Sequence, residues 1–197
     1  MNGAKIQFSQ EESTLLQNAS ILLTKHAVME KMGQLLGELC TALEPVYAPL
    51  QSVFPEAFQT GPKISKGEQL EHLPYLILDY PRFFSNETVF ASRTLFWWGR
   101  GFYVIHHLKG LPAQRLLNKL DDSIEELAKF DFRISINGSE WQHDTTAANY
   151  FDLVDETWKK EEVQFVKLAT RLSLEQIDTI TIPLIERHRS LVSSWLD

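Results

Sequence analysis

The chain has 197 residues, 44% hydrophobic and 23% charged, a balance that excludes long disorder and supplies enough apolar surface for a core. A formal charge of −7 without a Lys/Arg cluster argues against nucleic acid as a partner, and no apolar run approaches the roughly 20 residues needed to span a bilayer. Cys40 is the one cysteine and forms no internal disulfide, while the opening MNGAKIQFSQEE lacks the basic-then-apolar order of a secretory signal, so a cytoplasmic setting is expected.

Ser9 to Glu12 reads S-x-x-E, a capping box in which hydroxyl and carboxylate satisfy the free amides of a helix start, so a helix begins near Gln10. Its apolar positions Leu15, Leu16, Ala19, Leu22 and Leu23 are interrupted at Thr24, Lys25 and His26, then resume on a shifted phase from Val28 to Leu43. Either one helix changes the face it buries or two helices meet near residue 25. Pro45 and Pro49 end this helical region, taken as 10–50, or kink its last turn. Residues 52–74, with Gly61, Pro62, Gly67 and Pro74, read as a long connection; the two lysines between Gly61 and Gly67 lack the order of a P-loop. A region of strands is expected over 75–109. Tyr75 to Tyr80 forms a buried strand stopped by Pro81, and strands over about 88–98 and 101–109 are joined across Gly99-Arg100.

Pro112 suits a helix start, and the spacing is helical over 112–130. In FRISINGSEW the Asn137-Gly138 pair is a strong turn signal, predicting a hairpin over 131–145 with Phe132, Ile134 and Trp141 on its buried face. The remainder, 154–196, reads as helical, with a second capping box from Ser173 to Gln176 and a kink or break at Pro183. Together these elements predict one α+β domain over 1–197, a central antiparallel sheet flanked by N-terminal and C-terminal helices.

The chemistry concentrates in LFWWGRGFYVIHHLKG, Leu95 to Gly110. A two-residue turn at Gly99-Arg100 sets Trp98 opposite Gly101 and Arg93 opposite His106, with Leu95, Trp97, Phe102 and Val104 on the same face. A charge on so apolar a face needs a partner, and Asp79 at the end of the preceding strand is the nearest acid. Asp79, Arg93, His106 and Trp97 are therefore the candidate ligand-binding residues. The plainer reading is a structural network, with the aromatics as ordinary core. Adjacent His106 and His107 point to opposite faces, and the remaining histidines lack metal-ligand spacing, so neither metal nor cofactor is expected. The expected function is a soluble module that binds a small anionic or aromatic ligand, or a protein partner, at its aromatic-rich sheet. The alternative is a hydrolase-type enzyme with His106 as general base, Asp79 orienting it and Arg93 holding negative charge.

Overall fold

A computed structural model describes residues 6–196. The N-terminal capping box forms as its sequence dictates: Ser9 Oγ accepts from the Glu12 amide at 3.1 Å and Glu12 Oε2 accepts from the Ser9 amide at 2.6 Å, opening α1 (Gln10–Leu16). The two helices meet earlier than the phase shift implies. The Asn18 side chain accepts from the Ser20 amide and starts α2 (Ala19–Tyr47), which carries Pro45 in its last turn. Along α2 the residues Met32, Leu36, Leu39, Cys40, Leu43 and Tyr47 are buried, a stripe at helical spacing, whereas none before Met32 is. The first turns of the helix thus project as an arm, while from Lys25, paired with Glu68, and Val28 onward the helix is held by the body.

The body is a seven-stranded antiparallel sheet in the order β1-β2-β3-β4-β7-β5-β6. Its strands are β1 (Lys63–Leu70), β2 (Leu73–Phe84), β3 (Val89–Trp97), β4 (Gly101–Lys109), β5 (Arg133–Ser135), β6 (Phe151–Asp152) and β7 (Val166–Leu172). Short helices α3 (Glu56–Gln59), α4 (Leu111–Leu117) and α5 (Leu120–Ala128) lie between them, and α6 (Thr181–Leu196) closes the described chain. The helices at the two ends pack on each other and on one face of the sheet, so the fold is α+β as expected.

Four local expectations change. The stretch 52–74 holds α3 and β1, because Glu71 (φ 47°) and His72 (φ 64°) make a two-residue hairpin turn between Leu70 and Leu73. Strand β2 does not stop at Pro81; it absorbs the proline in a register irregularity between Asp79 and Arg82 and runs on to Phe84. The hairpin over 131–145 is absent. Asn137-Gly138 does turn, but β5 pairs with β6 and β7, and Ile136 O accepts from the Gln164 and Phe165 amides. Trp141, expected in the core, is 64% exposed. Finally, 154–196 is not helical throughout: β7 occupies Val166–Leu172, and its Val166, Leu168 and Leu172 face the helices while Lys167 and Ala169 face away. Pro183 lies in the first turn of α6, where an amide has no intrahelical partner to lose. Among the described residues, no helix is long and apolar enough to cross a membrane.

Candidate functional site

The register of the β3-β4 hairpin decides which side chains meet. Trp97 pairs with Gly101, so the loop holds Trp98, Gly99 and Arg100, one residue more than a two-residue turn, and the Arg100 amide donates to Trp97 O at 3.0 Å. Gly99 supplies the positive φ of 71° that the turn needs. This single-residue difference pairs Ser92 with His106 and Arg93 with Ile105. A one-residue slip turns every side chain over. Arg93 and His106 therefore lie on opposite faces, and the expected Asp79-Arg93-His106 cluster does not exist. Asp79 and Arg93 are cross-strand partners and share their face with Trp97.

On the helix-covered face His106 is fully buried. Trp195 Nε1–H of α6 donates to His106 Nε2 at 2.9 Å, which leaves the ring proton on Nδ1, where it donates to Ser92 Oγ at 2.7 Å. The imidazole consequently cannot take the serine proton, and Ser92, with no exposed surface, is not a nucleophile. A second buried histidine, His188 of α6, bridges Tyr47 of α2 at 2.7 Å and Thr94 of β3 at 2.8 Å. Burial pushes both imidazoles down to about 3, so both are neutral. They are polar pins between helices and sheet.

The opposite face is covered near its centre by the loop 137–150. Ile77, Leu95, Trp97, Tyr103, Ile105, Tyr150 and Ala169 form a second apolar cluster there. Trp97 is wholly enclosed in it, its indole N–H donating to Leu70 O at 3.1 Å, and offers no ring face to a ligand. Beside this cluster runs a chain of polar contacts of which the sequence exposed only the first two members, Asp79 and Arg93. Arg93 grips Asp79 through Nε (2.8 Å) and Nη2 (3.1 Å) and extends Nη1 to His143 Nε2 at 3.2 Å. The other ring nitrogen, Nδ1, is 3.2 Å from Lys167 Nζ, which also donates to Glu140 O at 2.8 Å and to Gln142 O.

The donor count points to one protonation pattern for this chain. An arginine can only donate, so His143 Nε2 accepts and the neutral ring carries its proton on Nδ1. That N–H then points at Lys167 Nζ, which must offer a lone pair. Lys167 in its uncharged form, the one that prevails above pH 7, meets that demand with two hydrogens on two carbonyls and its lone pair on His143. Burial, reinforced by Arg93, brings its pKa from 10.5 down to about 7, in the same direction. Burial, then Lys167, Arg93 and His107, likewise holds His143 well below the usual imidazole range.

The chain reaches the surface at the rim. Glu140, anchored through its carbonyl by Lys167, accepts from Lys109 Nζ at 2.7 Å. His107, the neighbour of His106 and on the face of Arg93, is buried and lowered to about 4, chiefly by burial and then by Lys167. Its Nε2 lies 3.3 Å from Glu140 Oε2 yet makes no hydrogen bond, because the angle is poor. Three aromatic rings present T-shaped contacts to it: Phe165 at 5.9 Å, Trp141 at 6.4 Å and Phe84 at 6.5 Å. Phe84 and Trp141 are exposed. Among the described residues no group of three or more His, Cys, Asp or Glu side chains is placed to hold a metal ion.

Of the sequence candidates, the structure brings Asp79 and Arg93 together, buries Trp97 beside them and sends His106 to the other face. Lys167 had a visible signal, a lysine at the centre of the otherwise apolar stretch Phe165 to Ala169. Loop residues Glu140 and His143 had none. In comparisons with protein-family models, with curated proteins and with solved structures, nothing matches this chain.

Proposed function

We propose that the protein is a non-catalytic binding module whose ligand site is the rim of the loop-covered sheet face, formed by Phe84, His107 and Trp141 beside the Lys109–Glu140 pair. The observation that carries this reading is His107 Nε2, a buried polar atom without a hydrogen bond in a network whose other members are satisfied. Such an atom gains most from a partner that completes it. Two exposed aromatic rings flank it, and a partly exposed ammonium and carboxylate offer one donor and one acceptor group. A planar heteroaromatic molecule matches that set: ring faces for Phe84 and Trp141, edge atoms for Lys109 and Glu140, which stand over His107. An anion is less well matched, since Asp79 neutralises Arg93 and Glu140 neutralises Lys109.

The test is a thermal-shift screen of nucleobases, nicotinamide and indole carboxylates at about 1 mM, since a ligand bound only by the folded form raises Tm by mass action. Wild-type protein is expected to be stabilised by at least one of them, with quenching of tryptophan fluorescence, and W141A to lose both responses while keeping its own Tm. Absence of any shift, or a shift that W141A retains in full, refutes the reading.

A further inference from the structure

The arm of α1 and the first turns of α2 sits on a different surface and makes a separate demand. Helix α1 contains no buried residue, and seven large apolar residues of the arm and its approach, Ile6, Phe8, Leu15, Leu16, Ile21, Leu22 and Leu23, are between 45% and 76% exposed. They are not scattered. Phe8, Leu15, Leu16, Ala19, Ile21 and Leu22 line one groove of about 550 Å³ between the two helices, with Glu12 and Asn18 at its border. A helix as short as α1 is marginal in water without packing, so an apolar groove held open by it requires a cover.

We propose that this cover is the same arm of a second copy of the chain, forming a two-fold dimer. Area is the first argument. The exposed apolar surface of these residues amounts to roughly 700 Å² per copy, close to the ~800 Å² that each partner contributes to a specific interface of standard size. Composition is the second. The arm carries Glu11, Glu12 and Glu30 against Lys25 and Lys31, and Lys25 is paired with Glu68, so it lacks the basic polar face with which amphipathic helices lie on lipid. Constancy is the third: a groove that its own short helix cannot sustain is best filled by something present whenever the chain is present. The contacts of a two-fold pair are reciprocal, and this surface offers both the groove and the exposed Leu23 and Ile6 that a partner's groove would accept.

Sedimentation equilibrium and light scattering on the full chain test the proposal. Wild-type protein is expected at twice 22.7 kDa at micromolar concentration, with a Tm that rises with concentration. The double variant L16E/L22E is expected to remain at 22.7 kDa with an unchanged circular dichroism spectrum, its dimer dissociation constant raised more than about 100-fold. Should that variant fold poorly, hydrogen exchange on wild-type protein reads the same interface, with amides 10–31 protected when concentrated and exposed on dilution. A wild-type chain that stays monomeric at about 100 μM, a dimer that L16E/L22E leaves intact, or a monomer that instead binds neutral lipid vesicles through the arm, overturns the proposal.

Discussion

Lys167 gives the most demanding test of the hydrogen-bond assignments. In the unfolded chain its amine titrates near 10.5, whereas in the fold it titrates near 7. Between those values the unfolded chain carries a proton that the folded chain does not, so stability rises with pH across the window and is lost as pH falls through 7. One proton corresponds to about 1.4 kcal/mol per pH unit, and the whole window to an order of 4–5 kcal/mol. Buried acids set its useful upper end, Tyr47, Tyr80 and Tyr103 among them, all raised first by burial. The Cys40 thiol, raised by burial and then by Glu44, and the Tyr150 phenol, raised chiefly by burial, stay protonated in the fold and oppose the trend once their unfolded counterparts ionise near 9 and 10. Urea unfolding between pH 7.5 and 9 therefore isolates the lysine, with an expected gain of about 2 kcal/mol in wild-type protein. The substitution K167M keeps the length of the side chain and removes its titration, so its stability should be flat over the same range whatever its absolute value. A flat wild-type profile, or a slope that K167M preserves, refutes the uncharged amine and with it the proton on His143 Nδ1.

Two other outcomes follow from the same geometry. Because burial lowers His106 and His188 to about 3 and His107 to about 4, each contributes stability that is complete above the unfolded value of 6.5 and is lost as pH falls toward those numbers; acid titration followed by circular dichroism should show a steep loss of fold below pH 6 rather than a gradual one below pH 4. Trp97→Ala should cost about 3–5 kcal/mol in urea unfolding, because its ring is wholly enclosed, whereas Trp141→Ala should stay within about 0.5 kcal/mol of wild type; comparable costs at the two positions would contradict the burial assigned to both.

Legibility in the sequence followed the strength of local signals. Ser9 and Glu12 start α1 because both halves of the capping box are local, and the Arg93 strand was found because its aromatic and β-branched residues favour a pleat. Register was another matter. Trp98-Gly99-Arg100 and Gly99-Arg100 are equally acceptable loops by composition, and only packing of the sheet on α2 and α6 chooses between them, which exchanged His106 for His107 beside Arg93. Strand β1 was hidden because Glu71-His72 takes up positive φ without the Gly or Asn that usually marks such a turn. Strand β7 was hidden because Val166, Leu168, Ala169 and Leu172 satisfy helical and strand periods alike. Of the polar chain, Asp79 and Arg93 were legible as a cross-strand pair. Glu140 and His143 arrive from a loop whose path depends on the lysine it covers, a long-range dependence that no window of sequence contains.

The place of β7 in the sheet has a consequence for how the chain can be made. It is the last of the described strands in sequence yet lies between β4 and β5, so the first four strands come off the ribosome as a sheet with β4 bare as well as the permanent edge β1, and the β5-β6 pair has nothing to join until Val166 to Leu172 is inserted. Until then β4 presents nine residues of unpaired backbone, eight of which are buried in the finished molecule, and is open to pairing with another nascent chain. Insertion of one seven-residue strand closes that edge, delivers Lys167 to the loop and brings α6 down on His106 in a single event. Completion of the fold is thereby deferred until Val166 to Leu172 has been made, and a chain truncated before residue 166 would be expected to aggregate rather than persist as a smaller sheet.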